Sequence, residues 1–231
     1  MLTLLFSYFH PQIKSPQKSL HYFDFDYSSN NAETYLKKMP FASSDDTVIE
    51  ETYAYLTTLG VPSRVRKTLP PTVKPRFVIV LCEPVQRIYS EFEYNTKMRQ
   101  IILENYSSFD EFIRFSVKEV HSALENLGRH DTRKGKAKLM NYIKTLDKSM
   151  TPELSLITNG IYHLLLFEWI EVFSKNDFFL VNANAFETNP VEEMYYLEDF
   201  LMLRPWFEDS KLTYSEENGL WCYSEFHRKR R

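Results

Sequence analysis

Arg87 and Ser90 stand three residues apart just after the run FVIVLCEP, and no other stretch comes nearer to a ligand site. Residues 77–81 are apolar and mostly β-branched, the pattern of a buried strand. Cys82, Glu83 and Pro84 break it, and residues 85–98 have helical spacing, with the proline where a first helical turn tolerates it. A strand that turns tightly into a helix aims unpaired backbone N–H groups beyond the sheet edge, which favours an anion. Arg87 and Ser90 share one face of that helix and add a charge and a hydroxyl. By spacing alone, an arginine so placed is more often solvated than bound to a ligand.

Other residues also carry chemistry. His21 and Asp24 lie three apart, although a histidine beside a strand end is more often packed or hydrogen-bonded than catalytic. Arg129, Arg133, Lys134, Lys136 and Lys138 fall within ten residues and suit a sulfated or carboxylated polymer, or form a solvated loop. The basic tail from His227 to Arg231 is a localisation or polyanion patch, or a disordered end. The aromatic run Tyr22, Phe23, Phe25 and Tyr27 offers a sugar platform, at least half of which strand alternation turns into core.

These groups need a scaffold. The chain has 231 residues, 16 % aromatic, with five glycines and a net charge of −3, which suits one domain with a Phe- and Tyr-rich core. No global basic field draws it to a nucleic acid, so any polyanion must meet a local patch. The apolar start, residues 1–9, is too short to span a membrane and lacks the flank and cleavage site of a signal peptide. Neither cysteine, Cys82 or Cys222, has metal-ligand spacing, and no metal site is expected. Periodicity predicts helices near 1–9, 31–39, 62–69, 85–105, 109–117, 160–174 and 190–202. It predicts strands near 19–23, 47–50, 77–81 and 178–183, and a polar insertion at about 121–156. Strands alternating with helices predict an α/β fold, a parallel sheet flanked by helices. Residues 82–90 and 50–52 are then expected on the rim beyond the strands' carboxyl ends.

Seven short segments, in order, resemble the heparan sulfate glucosaminyl 3-O-sulfotransferases and, next, the sulfotransferase domain of the N-deacetylase/N-sulfotransferases. The run after the strand resembles their P-x-x-R-x-x-S-x-(Y/F) segment for the 3′-phosphate of the donor. His10-Pro11 with Leu20 to Asp24 is similar to H-P … E-V-H-F-F-D, and YLKKMPF at 35–41 to W-Y-x-x-x-M-P-F. VIEETYAY at 48–55 sits where they have V-x-E-K-(T/S)-x-x-Y, and Gly160, Tyr162, Trp169 and Phe173 follow G-x-Y-x-x-x-L-x-x-W-x-x-x-F. Asn189-Pro190 with Phe200, Leu201 and Leu203 resemble N-P … F-L-x-L, and residues 218–222 resemble K-G-F-(W/Y)-C.

The resemblance implies a sulfotransferase fold, related to the P-loop nucleoside triphosphate hydrolases. It implies 3′-phosphoadenylyl sulfate as co-substrate, heparan sulfate or a heparin-like glycan as partner, and the Golgi lumen as location. It places Ser90, Arg87 and Cys82 (where the family usually has arginine) at the nucleotide, His21 and Asp24 by the acceptor sugar, and Arg133, Lys134 and Lys136 along the glycan. The departures are specific. No G-x-x-K-(G/S)-G-T loop occurs, and the chain is expected to be truncated at its N-terminus, with a shortened C-terminal hairpin at 214–231. Ser19 stands where the family has its catalytic glutamate, and Glu51 where it has a lysine. A hydroxyl has no useful basicity near neutral pH, and reversing a charge about 4 Å from a partner changes about 4 kcal/mol of attraction into repulsion. The family pairs the equivalent of Cys222 with a later cysteine absent here. That leaves Cys82–Cys222 as the available intramolecular disulfide, against a Cys82 that acts as a small hydrophobe. The expectation is a sulfotransferase-like protein, inactive as written. The alternatives are a glycan- or partner-binding module and a partial gene model of an active enzyme.

Overall fold

The computed structural model describes residues 10–27, 31–99, 106–127, 152–217 and 220–223. In chain order the elements are β1 (Ile13–Lys14), α1 (Ala32–Lys37), β2 (Thr47–Val48), α2 (Val61–Thr68), β3 (Phe77–Leu81), α3 (Pro84–Arg99), α4 (Phe109–Leu127), α5 (Pro152–Thr158), α6 (Tyr162–Val172), β4 (Phe178–Asn182), α7 (Ala183–Thr188), α8 (Pro190–Leu201), β5 (Leu212–Ser215) and β6 (Leu220–Tyr223). They form two compact units, one from residues within 1–81 and 172–231, the other from residues within 82–171. Among the described residues the strands pair two by two. β1 runs parallel to β2 and β3 parallel to β4, while β5 and β6 are antiparallel. The fold is α/β, with parallel pairs and flanking helices, as the alternation of elements predicts.

In the first unit β3 and β4 pair over five residues, from Phe77 opposite Phe178 to Leu81 opposite Asn182. The apolar run of β3 is not buried on both faces. Ile79 and, on β4, Val181 are buried, while Val78, Val80 and Leu180 are exposed, so two-residue alternation governs despite the uniform composition. Val181 packs with Ile13, Phe186, Met194, Leu197, Leu201, Leu203, Phe207 and Leu212 in one core. α8 supplies three of these at helical spacing. Asn189 caps its start by accepting from the Glu192 N–H, Pro190 opens its first turn, and Met202 ends it in the left-handed region at φ 58°. Glu198 is buried on the same face, and its Oε1 accepts from the Trp206 and Phe207 N–H groups at 2.9 and 3.0 Å. The same oxygen lies 3.5 Å from His10 Nε2, so the segment leading to the candidate site is anchored at its start.

The second unit packs Ile88 and Phe92 of α3, Phe112 and Val120 of α4, and Leu154, Leu156 and Ile157 of α5. Ser108 starts α4 by accepting from the Glu111 N–H at 3.2 Å, and the Glu111 carboxylate reaches back to the Ser107 N–H at 2.7 Å. This reciprocal arrangement resembles a capping box. Phe112, Ser116 and Val120 fall on one face and are buried.

Three expected elements differ. Residues 19–23 form no strand: a turn runs over 22–25, and Tyr22, Phe23 and Asp24 are buried in succession, which strand alternation does not allow. α4 runs to Leu127, ten residues past the expected end at 117. α5 starts inside the expected polar insertion and runs two residues past its end, and α6 starts at Tyr162. The expected helix at 1–9, the cluster Arg129 to Lys138 that includes Arg133, Lys134 and Lys136, and the basic tail lie outside the described residues. The C-terminal hairpin is present as β5–β6, and neither Cys82 nor Cys222 is in a disulfide.

Phe112 is fully buried and stacks on Phe92 at 5.1 Å between ring centroids. Phe112→Ala should therefore cost about 3–5 kcal/mol, read as a lower urea midpoint. Phe115→Ala, at an exposed ring of the same helix, should stay within about 0.5 kcal/mol of the parent.

Candidate functional site

His21 sits at φ 51°, a left-handed conformation that costs a non-glycine residue free energy unless its surroundings hold it. The turn it opens is closed by the Phe25 and Asp26 N–H groups, which donate to the His21 carbonyl at 3.2 and 3.0 Å. Asp24 is buried, and its two oxygens are used separately. Oδ1 accepts from the Phe25 N–H at 2.9 Å, and Oδ2 lies 2.8 Å from His21 Nδ1. A carboxylate has only acceptors, so Nδ1 carries the proton. Nε2 is then left with no hydrogen-bond partner among the described residues, on a side chain that is 26 % exposed.

The rest of the turn is held from two sides. Arg64 of α2 donates to the carbonyls of Phe23 at 2.6 Å and Asp24 at 3.0 Å. From the other side, Thr52 Oγ1 accepts from the His21 N–H at 3.4 Å, and the Tyr55 hydroxyl accepts from the Phe23 N–H at 3.3 Å. Both hydroxyls donate onward to Glu50 Oε1, at 2.7 and 2.8 Å, while Tyr35 donates to Oε2 at 3.3 Å. The Leu20 backbone also bonds to this carboxylate. Backbone groups that a strand would have paired with a ladder are paired here with side chains.

Burial pushes the Glu50 carboxyl above the ordinary carboxylate range, and the bonds from Thr52, Tyr55, Tyr35 and Leu20 pull the other way without cancelling it. Burial, reinforced by the Glu50 charge, raises the phenols of Tyr35 and Tyr55. Ser19 and Glu51 are both exposed.

The start of α3 is arranged differently from a free anion seat. The Glu83 carboxylate accepts from the Gln86 N–H at 2.7 Å, so an acid of the chain already caps this helix. Arg87 donates to Glu91 at 2.5 Å and to the Leu156 carbonyl. The Cys82 carbonyl accepts from the Tyr162 hydroxyl at 3.0 Å, and Ser90 is exposed. As they stand, the described α3 residues do not fit a phosphate, because both cationic features are engaged by carboxylates.

His21 and Asp24 are therefore brought together in one turn, and Arg87 is turned inward. The contacts of three acidic residues were not read from the sequence. Glu91 was legible, four residues after Arg87 on one helix face, and Glu83 was legible as an acid at a helix start. Glu50 had only the weaker signal of hydroxyl residues two and five positions on. Among the described residues no group of three or more His, Cys, Asp or Glu side chains is placed to hold a metal ion, and no helix is long and apolar enough to cross a membrane.

No protein-family model matches the chain. Over 215 residues, 92 % of its length, it is 25 % identical to the heparan sulfate glucosamine 3-O-sulfotransferase 5 of Mus musculus and to that of Homo sapiens. Over 185 residues, 80 % of its length, it is 23 % identical to the bifunctional heparan sulfate N-deacetylase/N-sulfotransferase 2 of Bos taurus. The chain spans about half, 53 %, of the 3-O-sulfotransferases it matches. The crystal structure of a sulfotransferase from Alicyclobacillus acidocaldarius superposes with a TM-score of 0.64 over 94 % of this chain and 81 % of that one, at 18 % identity. That likeness shows the fold. The similarity to the heparan sulfate 3-O-sulfotransferases, with the N-sulfotransferases next, is the one the short motifs indicate.

The Glu50 environment has a pH signature. A carboxyl raised in the folded state holds its proton more readily there than in the unfolded chain. Its contribution to stability is therefore full below about pH 4.3, the unfolded value, and is lost as pH rises through the folded one. Glu50→Gln removes the titration. In urea unfolding at a series of pH values, stability of the parent relative to Glu50→Gln should fall with rising pH across that window and then level off. A difference that does not change with pH would contradict the assignment.

Proposed function

We propose that this chain, similar to the heparan sulfate glucosaminyl 3-O-sulfotransferases and sharing the sulfotransferase fold, holds a glycan at the His21–Asp24 turn. Its 231 residues on their own transfer no sulfuryl group. Transfer needs a cradle for the phosphosulfate, cations for the charge that develops, and a base for the acceptor hydroxyl. These residues include no G-x-x-K-(G/S)-G-T loop, Ser19 replaces the expected glutamate, and Glu51 replaces the expected lysine.

The observation that carries this reading is at α3, where Glu83 takes the Gln86 amide and Glu91 takes Arg87. A donor phosphate would have to displace both carboxylates, and like charges about 4 Å apart repel by about 4 kcal/mol at a protein surface. The co-substrate that the resemblance implies, 3′-phosphoadenylyl sulfate, thus finds the intended contacts Arg87 and Ser90 without a free cation. The glycan is of the heparan sulfate or heparin class, by the names of the relatives, and the compartment is the Golgi lumen. Arg133, Lys134 and Lys136 are proposed to grip its anionic groups.

One observation favours a second reading, that of an active enzyme. Asp24 at 2.8 Å orients the His21 imidazole and leaves Nε2 as an acceptor, which is the arrangement of a general base. In that reading His21 would take the acceptor hydroxyl proton in place of the missing glutamate.

Calorimetry with 3′-phosphoadenosine 5′-phosphate tests the donor side. The expected dissociation constant is above about 100 μM, or about −5.5 kcal/mol, and Glu83→Gln with Glu91→Gln should tighten it. Low-micromolar binding by the unaltered chain would overturn the closed-seat reading. Sulfate transfer by that chain from labelled donor to heparan sulfate would decide for the enzyme.

A further inference from the structure

His10 is 3 % exposed, and both nitrogens of its ring are engaged. The Gln12 N–H donates to Nδ1 at 3.2 Å, so Nδ1 carries a lone pair and the proton sits on Nε2. Nε2 donates in turn to the Arg204 carbonyl at 3.2 Å. One donor and one acceptor fit only the neutral imidazole, because an imidazolium has donors alone. The Gln12 side chain repeats the connection, its Oε1 accepting from the Arg204 N–H at 2.8 Å. His10 and Gln12 thus clip the segment that enters β1 to the segment that leaves α8.

The groups around the imidazole decide how it meets a second proton. From α8, Glu198 is 1 % exposed and places Oε1 at 3.5 Å from Nε2. That oxygen already serves the Trp206 and Phe207 amides, and Oε2 has no hydrogen-bond partner among the described residues. Ahead of β5, Lys211 holds its ammonium over the Trp206 ring and 3.7 Å from Glu208, and the Phe207 ring tilts against the imidazole. The Arg204 guanidinium is turned to Asp45, and Lys14, on the same segment as His10, to Asp46. Burial lowers the His10 pKa; the Arg204 bond opposes it and the Lys211 charge adds to it. Burial also raises the Glu198 carboxyl, so acid withdraws the counter-charge that an imidazolium would need.

We propose that His10 is an acid-sensitive latch: neutral, it clips residues 10–14 to residues 203–207, and on gaining a proton it lets the two segments part. The Gln12 N–H then faces another N–H. The Gln12 carbonyl accepts from the Thr47 N–H at 2.7 Å, at the start of the β1–β2 pair, and Glu50 follows two residues after β2 ends. Acid therefore also loosens the frame that holds the His21 turn, whatever that turn binds. A histidine held neutral stabilises fully above about pH 6.5, the unfolded value, and this is lost as pH falls through the folded one. The direction is opposite to that of Glu50.

Amide hydrogen exchange on the full chain tests the latch, read as protection factors so that the pH dependence of free amides cancels. From about pH 7.5 to about pH 5, the Gln12, Thr47 and Arg204 amides should lose protection about fivefold or more, while the β3–β4 pair keeps its own. The Phe25 and Asp26 amides, which close the His21 turn, should follow. An NMR titration of the parent should place His10 below about 6.5. In His10→Gln, which has no titrating ring, the loss at Gln12 should disappear. The latch is overturned if His10 titrates at or above about 6.5, or if Gln12, Thr47 and Arg204 keep their protection in acid. A loss that survives in His10→Gln overturns the role of the imidazole, and unchanged Phe25 and Asp26 amides overturn the coupling to the turn. Glycan or nucleotide binding enters none of these readings, so the latch and the proposed function can fail separately.

Discussion

A half-buried carboxylate stays in a folded chain only if donors surround it, and Glu50 gathers its donors from separate parts of the first unit. The Tyr35 hydroxyl comes from α1, the Thr52 and Tyr55 hydroxyls from the segment after β2, and the Leu20 backbone from the turn itself. Two of these hydroxyls are also acceptors, and what they accept are the N–H groups of His21 and Phe23. The Glu50 charge is thereby converted into backbone geometry. It sets the direction of both hydroxyls, these set the turn, and the turn sets the left-handed His21 beside a buried Asp24. Phe25 and Tyr53 are exposed around the imidazole as a consequence of the same arrangement.

Carboxylates have the opposite effect at α3. There they satisfy locally what a ligand would otherwise satisfy: Glu83 the helix start, Glu91 the arginine. Such pairs weigh little in stability when exposed, but they matter for binding because an anion must first displace them. The His21 turn thus offers an open imidazole and exposed rings, and the start of α3 offers groups already paired.

Much of the frame was legible in the sequence because it rests on local pattern. The β3 run, the Asn189-Pro190 start of α8 and the alternation of strands with helices each have a short-range cause. The turn at 22–25 was not legible, because LHYFD at 20–24 has strand composition and is bent by partners about thirty residues away, Thr52 and Tyr55. Likewise Arg87 has the right spacing for a phosphate contact, but the Leu156 carbonyl that turns it inward is 69 residues distant. The His21–Asp24 pair could be named from its spacing and family resemblance. Its flanking rings could not, since which aromatic residues of Tyr22, Phe23, Phe25 and Tyr53 stay outside is decided by the turn.

The central claim, that the Glu50 carboxylate fixes the turn presenting His21, is tested most directly by residue-resolved amide hydrogen exchange on the parent chain and on Glu50→Gln. Losing buried charge-assisted bonds of about 1–3 kcal/mol should speed exchange at the Leu20, His21 and Phe23 amides about tenfold or more, while α8 and the β3–β4 pair keep their rates. Unchanged exchange at those three amides would contradict the account, because the turn would then hold its shape without Glu50.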